Sequence, residues 1–462
     1  MKIRRLSAWA FPLAFLSVLS ATVTACGTHF QFAGRTVAPS CLGFTNAHSV
    51  AVCHRALVAI RNADSTGDGA LQILDAANDQ HESIDGHTLA FTIKGYRGTI
   101  PSFLLNYPEE QQGFVYNAGE GIVERADYTT ETASAFTNGG TPNIDSLAIS
   151  SDGRYIYAAQ QVGNVLLVSD ANQGISNLQL RLPNVYRVSA NPAGTVALAF
   201  VQNSNTVNRV LRLNSGQAAP PGATDCEPLS VPRYCLIPVP GNFDRPVAAY
   251  FSLDGSSAFV LNSGPEMGGN AASISIIPTS TVTTTTPTAN PITSPVTATI
   301  PVPGGATVAL SDGNSLFVAG SQIQNGLFAG RLSVIDIPSQ KVTATYNISD
   351  GSHGVMRFAD DNTLWIGSTL CATGASNTGP TPTNGCLTLF NRNNNSVLIE
   401  PFIGDVTGIA DIVGFHKVYV AENGQIFRYN TTDGSNPSVP NILVAGSAID
   451  VAYMDAPSNA QD

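Results

Sequence analysis

One short pattern recurs along the chain at intervals of roughly fifty residues, and it limits the possible folds more than any other feature. Each copy begins with alternating apolar and polar residues, breaks at a turn such as Ser-Asp-Gly, and resumes with aromatic and β-branched residues. This combination predicts a β-hairpin. The copies are SLAISSDGRYIYAA from Ser146, VSANPAGTVALAF from Val188, AYFSLDGSSAFV from Ala249, VALSDGNSLFV from Val308, MRFADDNTLWI from Met356 and, more weakly, IADIVGFHKVYV from Ile409.

Two further strand-like runs follow each hairpin, and four strands per repeat is the pattern of one propeller blade. The sequence therefore predicts an all-β chain that folds as a single β-propeller. A final run at 447–454 lacks its own blade, so we expect it to join the N-terminal blade and close the ring. The count is eight blades, although the second is poorly patterned and seven is the alternative. The predicted blades span 57–95, 100–138, 143–183, 186–240, 245–303, 305–350, 353–403 and 405–446.

The hairpin phrase followed by an aliphatic run ending in Asp resembles the YVTN-type repeats of YncE-like and lactonase-like propellers. The segments from Asn62 to Asp75 and from Arg331 to Asp336 carry this resemblance. It implies the propeller fold but leaves the activity open, because such propellers include binding proteins and enzymes. A lactonase-like enzyme would need acidic and amide residues from several blades to converge on the ring axis.

The N-terminus resembles a bacterial lipoprotein signal peptide. Lys2, Arg4 and Arg5 precede an apolar stretch that ends at Val23-Thr-Ala-Cys26, which resembles a lipobox. This predicts a signal peptide at 1–25, lipidation of Cys26, a tether at 26–56, the propeller at 57–455 and a tail at 456–462. The alternative is an ordinary secretory peptide or a membrane anchor. Gly27 after the cysteine favours the outer membrane, at its periplasmic face or at the cell surface.

Six further cysteines form three pairs that are close in sequence, and this spacing favours local disulfides. Such cysteine usage is typical of an oxidising compartment. A zinc site is the weaker alternative, because no pair has the two-residue spacing of a zinc knuckle. The pairs are Cys41 with Cys53, Cys226 with Cys235, and Cys371 with Cys386.

The formal net charge of −11 bears on partners and cofactors. An acidic chain lacks the basic surface that nucleic acid requires, and the lipid would be its only membrane contact. We expect no cofactor, with one weak exception for calcium. Asp64, Asp68 and Asp75 have a spacing that resembles a calcium loop, although the glycines of this segment also suit a simple turn.

Binding residues are expected in the loops that lead into each inner strand, because these loops surround the mouth of the central channel. The arginines could clamp an anion or pair with Asp145 or Asp244, and the histidine could serve packing or chemistry. No catalytic motif is present. The channel-mouth candidates are Asp145, Arg187, Arg245, His353, Asp405 and Asp411.

These observations favour a cell-envelope lipoprotein whose propeller binds a protein, a glycan or a small ligand. The alternatives are a lactonase-like hydrolase or oxidoreductase with a metal or cofactor in the channel, and a structural role in the envelope.

Overall fold

The computed structural model describes residues 44–45, 51–52 and 54–455, with gaps at 63–66, 82–90, 137–142, 215, 229–232, 286–293, 325–326, 372–384, 402 and 439–440. In these residues the chain forms eight antiparallel blades arranged as a propeller, as predicted. Its helices in the described residues are single 3₁₀ turns at Pro108–Glu110, Ala171–Gln173, Gly264–Met267, Thr279–Thr281 and Asp360–Asn362. None of the described helices is long and apolar enough to cross a membrane.

The blades are numbered in chain order, and each is given from the axis outward. Blade 1 contains Ser447–Tyr453, Arg55–Arg61, Ala70–Asp75 and the short pair Gln80–His81 and Phe91–Thr92. Blade 2 contains Pro101–Tyr107, Gln112–Asn117, Ile122–Asp127 and Thr132–Ala135. Blade 3 contains Ser146–Ile149, Tyr155–Gln160, Val165–Asp170 and Ile175–Arg181. Blade 4 contains Val185–Ala190, Ala197–Val201, Val207–Arg212 and Tyr234–Val239, and it has an added edge strand at Asp225–Glu227.

Blade 5 contains Pro246–Phe251, Ser257–Asn262, Ser273–Pro278 and Ala298–Pro301. Blade 6 contains Val308–Ser311, Ser315–Gln324, Leu327–Asp336 and Lys341–Asn347. Blade 7 contains Ser352–Ala359, Thr363–Thr369, Leu387–Asn391 and Ser396–Ile399. Blade 8 contains Val406–Ile412, Lys417–Glu422, Gln425–Asn430 and Asn441–Ile442. A separate hairpin pairs Phe44–Thr45 with Ala51–Val52.

The predicted ring closure is confirmed, because the strand Ser447–Tyr453 pairs antiparallel with Arg55–Arg61 of the first blade. The weakly patterned segment near 100–138 forms a complete four-stranded blade, so the count is eight rather than seven. Without this closing strand, Arg55–Arg61 would be an unpaired edge strand of blade 1, and the pairing covers that edge.

The core is divided among the eight spaces between neighbouring blades. In the strand Arg55–Arg61, Val58 and Ile60 pack against blade 8, whereas Leu57 packs against blade 2. Successive side chains of a strand point to opposite faces of the sheet, so one strand supplies two cores. This explains why the second strand of blade 1, Arg55–Arg61, is buried along almost its whole length rather than at alternate residues.

The repeated Asp-Gly pairs form the hairpin turns between the first two strands. Asp152 Oδ1 accepts hydrogen bonds from the Ser150 hydroxyl at 2.6 Å and the Arg154 N–H at 2.9 Å, and Gly153 adopts a φ of 73°. Only glycine adopts that left-handed conformation without strain. These aspartates are therefore used for local structure.

Two of the three predicted disulfides are confirmed. Cys226 pairs with Cys235 across the edge strand of blade 4, and Cys371 pairs with Cys386 in blade 7. The Cys41 and Cys53 pair and the lipidation residue Cys26 lie outside the described residues.

Candidate functional site

Two kinds of connection lie at one face of the ring, namely the turn between the second and third strands of a blade and the link between neighbouring blades. Because neighbouring strands run antiparallel, the turn between the second and third strands lies at the same end of a blade as the link to the next blade. We call this end the loop face, and its described connections include 161–164, 263–272, 370–371, 403–405 and 443–446.

Two predicted residues, Asp145 and Asp405, anchor turns on the loop face. Asp145 Oδ2 accepts a hydrogen bond from the Gln161 N–H at 2.7 Å, and Asp405 Oδ1 accepts one from the Leu370 N–H at 2.7 Å. Asp244 does the same for the N–H groups of residues 270 and 271. A carboxylate bonded to backbone N–H groups is a strong, charge-assisted contact, so these turns are held firmly.

The anchored turns present apolar side chains to solvent. Val162 follows Gln161 directly and is 80% exposed, and Leu370 is also 80% exposed. Leu370 is restrained further because the next residue, Cys371, is disulfide-bonded. Three more exposed apolar side chains lie at this face, namely Ile323, Phe328 and Leu443.

Ile323 and Phe328 face each other near the tip of the hairpin formed by Ser315–Gln324 and Leu327–Asp336. These ten-residue strands are the longest of the described strands and carry the hairpin beyond the body of blade 6. With Leu370 on blade 7 and Leu443 after the outer strand of blade 8, the exposed apolar side chains concentrate in one sector. Because blades 6 to 8 are neighbours, this sector of the loop face is a candidate interaction surface.

The two predicted arginines do not form the ion pairs considered from the sequence. Within the described residues, neither Arg187 nor Arg245 lies within ion-pairing distance of an acidic side chain. The Arg245 guanidinium donates to the Gly268 carbonyl at 3.4 Å, and its backbone N–H donates to Asn205. Arg187 lowers the pKa of the neighbouring Tyr186 against the effect of burial.

His353 is buried at the start of the inner strand of blade 7. Its Nε2 lies 2.9 Å from the Ser349 carbonyl, and its Nδ1 has no hydrogen-bond partner in the described residues. Burial lowers the pKa of His353 to about 4, against the Ser349 contact, which raises it. The imidazole is therefore neutral at physiological pH and bonds to its own loop.

Asp411 lies at the other end of the ring from the remaining candidates. It is near the end of the inner strand Val406–Ile412, and its Oδ1 accepts from the Asp360 N–H at 3.4 Å. The six candidates thus form no single cluster. Five lie near the loop face, and Asp411 lies at the opposite face.

Sequence reasoning missed two charged residues of the inner strands, Asp450 and Arg357. Asp450 accepts a hydrogen bond from the Val451 N–H at 2.8 Å, and a Cβ on Gly408 would lie 2.1 Å from its Oδ1. Burial raises the pKa of Asp450 to about 7, although Arg357 and the backbone N–H groups lower it. An acidic residue within the otherwise apolar run 448–454 was the available signal.

The calcium hypothesis gains no support from the described part of its loop. Asp75 Oδ1 accepts from the N–H groups of Ala77 and Asn78, which close the turn after its strand. Asp64 lies outside the described residues, while Asp68 is described. No group of three or more acidic, histidine or cysteine side chains in the described residues is arranged to hold a metal.

A groove of about 460 Å³ lies between blades 6 and 7 at the face opposite the loop face. The guanidinium of Arg392 lies 5.2 Å from the ring centre of Phe317 and 4.8 Å from that of Phe358, and it pairs with Asp312. Polar side chains such as Asn362 form part of its wall. An aromatic floor with a few fixed polar groups is typical of small-ligand sites.

Comparisons with known proteins identify a fold and no family. No family profile matches the chain, and no curated protein matches it. The dihydro-heme d1 dehydrogenase NirN, in complex with DHE, is 15% identical with a TM-score of 0.52, covering 90% of this chain and 78% of that one. At this identity the likeness shows the propeller fold alone.

Two further solved structures are similar at lower scores. Hydrazine synthase of Kuenenia stuttgartiensis is 16% identical with a TM-score of 0.41, covering 64% of this chain and 78% of that one. The β-propeller domain of Myceliophteria thermophila Cps50 (Swd1) is 12% identical with a TM-score of 0.45, covering 70% of this chain and 93% of that one.

Proposed function

We propose that this chain is a cell-envelope lipoprotein, anchored through Cys26, whose propeller binds a protein partner at the loop face of blades 6 to 8. The observation that carries the proposal is Leu370, which is 80% exposed while its own N–H is bonded to Asp405 and its neighbour Cys371 is in a disulfide. A large apolar side chain that is both exposed and fixed suits a binding surface better than a mobile loop.

The physical reason is preorganisation. Binding through a mobile loop costs about 0.5–1.5 kcal/mol for each ordered side chain, and prior anchoring reduces that cost. The burial of exposed apolar surface then supplies the driving force. A protein partner fits this surface better than a lipid headgroup layer, because the chain has a net charge of −11 and anionic lipid would repel it.

The placement of the chain ends agrees with this orientation. The strand Arg55–Arg61 starts at the face opposite the loop face, and Asp455 lies beside Arg55 there. A tether that leads from Cys26 to residue 54 therefore reaches the propeller at that opposite face. The loop face would then point away from the lipid anchor and toward partners.

A site-specific photocrosslinking experiment tests the binding surface. A photoreactive residue at 370 or 328 should crosslink to one discrete protein in intact cells, and Leu370→Asp should weaken crosslinking from position 328. The matched control for position 328 is position 253, because Leu253 is 44% exposed, against 49% for Phe328, but lies on a hairpin turn at the opposite face. Equal crosslinking from position 253 would contradict the assignment of the face.

The anchor has its own test. Labelled palmitate should be incorporated into the wild-type chain and lost in Cys26→Ala. Unchanged labelling in Cys26→Ala would refute the lipoprotein proposal without affecting the loop face.

A small ligand or a glycan is the second candidate partner, and the groove at Arg392 favours it. Phe317 and Phe358 stack on the guanidinium, and Asp312 orients it, so its free N–H groups are available to hydroxyl or carboxylate oxygens. Saturation-transfer NMR with envelope sugars should give signals that Arg392→Leu removes. Signals that persist in Arg392→Leu would place the ligand elsewhere.

The enzyme and structural alternatives make different predictions. A lactonase-like enzyme would hold a stoichiometric metal, and Asp450 is an acidic residue of an inner strand that could contribute to its site. Metal analysis of the purified protein tests it, and a bound divalent metal lost in Asp450→Asn would favour it. A structural role predicts that loss of the protein changes the envelope while Leu370→Asp does not.

A further inference from the structure

Two glutamates are buried in the space between blades 7 and 8. Glu400 follows the outer strand of blade 7 and is 7% exposed, and Glu422 ends the second strand of blade 8 and is 0% exposed. The connection from blade 7 to blade 8 includes the described residues 403–405, and the backbone N–H groups of Ile403 and Gly404 lie beside the second glutamate. This connection carries Asp405, which anchors Leu370 on the loop face.

Each glutamate has an oxygen without a hydrogen-bond partner. Glu400 Oε1 and Glu422 Oε1 are buried and unpaired in the described residues, whereas Glu422 Oε2 accepts from the Tyr429 hydroxyl at 2.9 Å. A buried charged oxygen without a partner is costly, because the protein interior does not replace its lost hydration. Neutral carboxyl groups avoid that cost.

The groups around this pair offer no compensating positive charge. Glu422 faces Glu400, Tyr429 and the backbone N–H groups of Ile403 and Gly404. Glu400 faces Asp433. Among the described residues, no lysine, arginine or histidine forms an ion pair with either glutamate.

Burial therefore dominates their titration, with like charge as a second cause. Burial and the charge of Asp433 raise the pKa of Glu400 to about 7. Burial raises the pKa of Glu422 to about 7 and the charge of Glu400 adds to it, although the Tyr429 hydroxyl and the backbone N–H groups lower it. Both groups thus change charge near neutral pH.

The glutamates are linked to the loop face by short contacts. The Asn423 N–H, next to Glu422, donates to the Asp405 carbonyl at 3.1 Å, and a Cβ on Gly404 would lie 2.5 Å from the Asn423 Cβ. The Glu400 N–H donates to the Leu387 carbonyl at 2.9 Å, beside the disulfide-bonded Cys386. Movement of the glutamates would therefore displace the segment that fixes Leu370.

We infer that protonation of the Glu400 and Glu422 pair holds residues 403–405 in place, so that the loop face is fixed below neutral pH and loosens above it. The inference rests on the proposed function, since it names the regulation of that same surface. Raised pH ionises two buried carboxyl groups that each have one oxygen without a hydrogen-bond partner in the described residues, which favours a state in which residues 403–405 move away and water reaches the carboxylates.

The sign and size of the effect follow from linkage. A carboxyl with an ordinary pKa of 4.5 in the open state and about 7 in the closed state stabilises closure fully below pH 4.5, and this contribution is lost as pH rises through 7. Between pH 6 and pH 8 the opening equilibrium should shift about tenfold for each such carboxyl.

Hydrogen exchange at Leu370 and Asn423 tests the switch, because both N–H groups are bonded to Asp405. After correction for the intrinsic pH dependence of exchange, protection in the wild-type chain should fall about tenfold or more from pH 6 to pH 8. Glu400→Gln with Glu422→Gln should remove that dependence, and Glu400→Gln alone should halve it on a logarithmic scale. Glu109→Gln, at an exposed glutamate, is the matched control.

Three results would overturn the inference: pH-independent protection in the wild-type chain, the same dependence in the double variant, or recovery of protection at pH 8 on adding Ca²⁺, which would show a cation site instead. If the double variant does not fold, the Glu400→Gln and Glu422→Gln single variants provide the comparison, since each should remove half of the dependence on a logarithmic scale. Exchange needs no partner, so a switch without crosslinking at position 370 would refute the proposed function and leave the switch standing.

Discussion

Arg55 joins three parts of the chain at the closure of the ring, and its replacement should cause a large loss of stability. Its guanidinium donates to Asp455 Oδ1 at 2.7 Å and Oδ2 at 2.9 Å, to Glu131 Oε1 at 2.9 Å and to the Tyr128 carbonyl at 2.8 Å. The side chains of the three charged residues are 4%, 1% and 1% exposed. The network links blade 1, blade 2 and the C-terminal end of the closing strand.

Arg55→Met should therefore remove the guanidinium that pairs with the buried carboxylates of Asp455 and Glu131. Removal of one partner from a buried ion pair costs about 3–5 kcal/mol, because the remaining charge is neither hydrated nor paired. The matched control is Arg154→Met, whose pair with Asp152 has side chains that are 61% and 42% exposed. Such exposed pairs contribute about 0–1 kcal/mol.

Urea denaturation followed by circular dichroism at fixed pH measures both variants. We expect a clearly lower midpoint for Arg55→Met and almost no shift for Arg154→Met. Adding Asp455→Asn and Glu131→Gln to Arg55→Met should recover part of the loss, because the buried charges are then removed together. Similar midpoints for the two single variants would refute the argument that Arg55 closes the ring.

Three further predictions concern stability. His353 has a pKa of about 4 in the folded state and an ordinary value of 6.5 in the unfolded state. The fold therefore has its full stability above pH 6.5, and on the order of 3 kcal/mol of unfolding free energy is lost as the pH falls toward 4. The urea midpoint of His353→Gln should depend less on pH in that range than the midpoint of the wild-type chain. Leu370→Ala should change the unfolding free energy by less than about 0.5 kcal/mol, whereas Trp365→Ala, at a fully buried site, should cost about 3–5 kcal/mol in the same assay. Replacement of Cys371 and Cys386 together by Ser should cost about 3 kcal/mol, seen as a lower thermal midpoint than that of the wild-type chain.

The blades could be predicted because their signals are local. Alternation of side chains, Asp-Gly turns and aliphatic runs lie within a few residues of one another, so the expected blade at 143–183 closely matches the strands found between Ser146 and Arg181. Closure by the run at 447–454 could also be predicted, since a strand without a blade needs a partner. The second blade was the weakest prediction because its inner strand lacks the recurring phrase.

The candidate site was predictable only in part, because its function depends on contacts between distant residues. Asp145 and Asp405 were identified by their position before inner strands, but their role as anchors depends on Gln161 and Leu370, which only the fold brings near. The exposure of Leu370 could not be inferred from a leucine beside a cysteine. Burial of Glu422 likewise depends on the neighbouring blade.

The repeat and its departures have different roles in this molecule. Eight similar blades supply a rigid ring with a separate core in each interblade space, and anchoring aspartates recur before the inner strands of blades 3, 5 and 8. A feature that recurs around a ring cannot by itself select one partner-binding sector. The long hairpin of blade 6, the disulfide beside Leu370 and the buried Glu400 and Glu422 all depart from the repeat, and all lie in blades 6 to 8. Blade 4 also departs from the repeat through its edge strand Asp225–Glu227 and its disulfide, but Ile323, Phe328, Leu370 and Leu443 expose apolar side chains on the loop face of blades 6 to 8. Specific binding should therefore be sought in that sector, because the repeat provides the scaffold and these departures make the sector distinct.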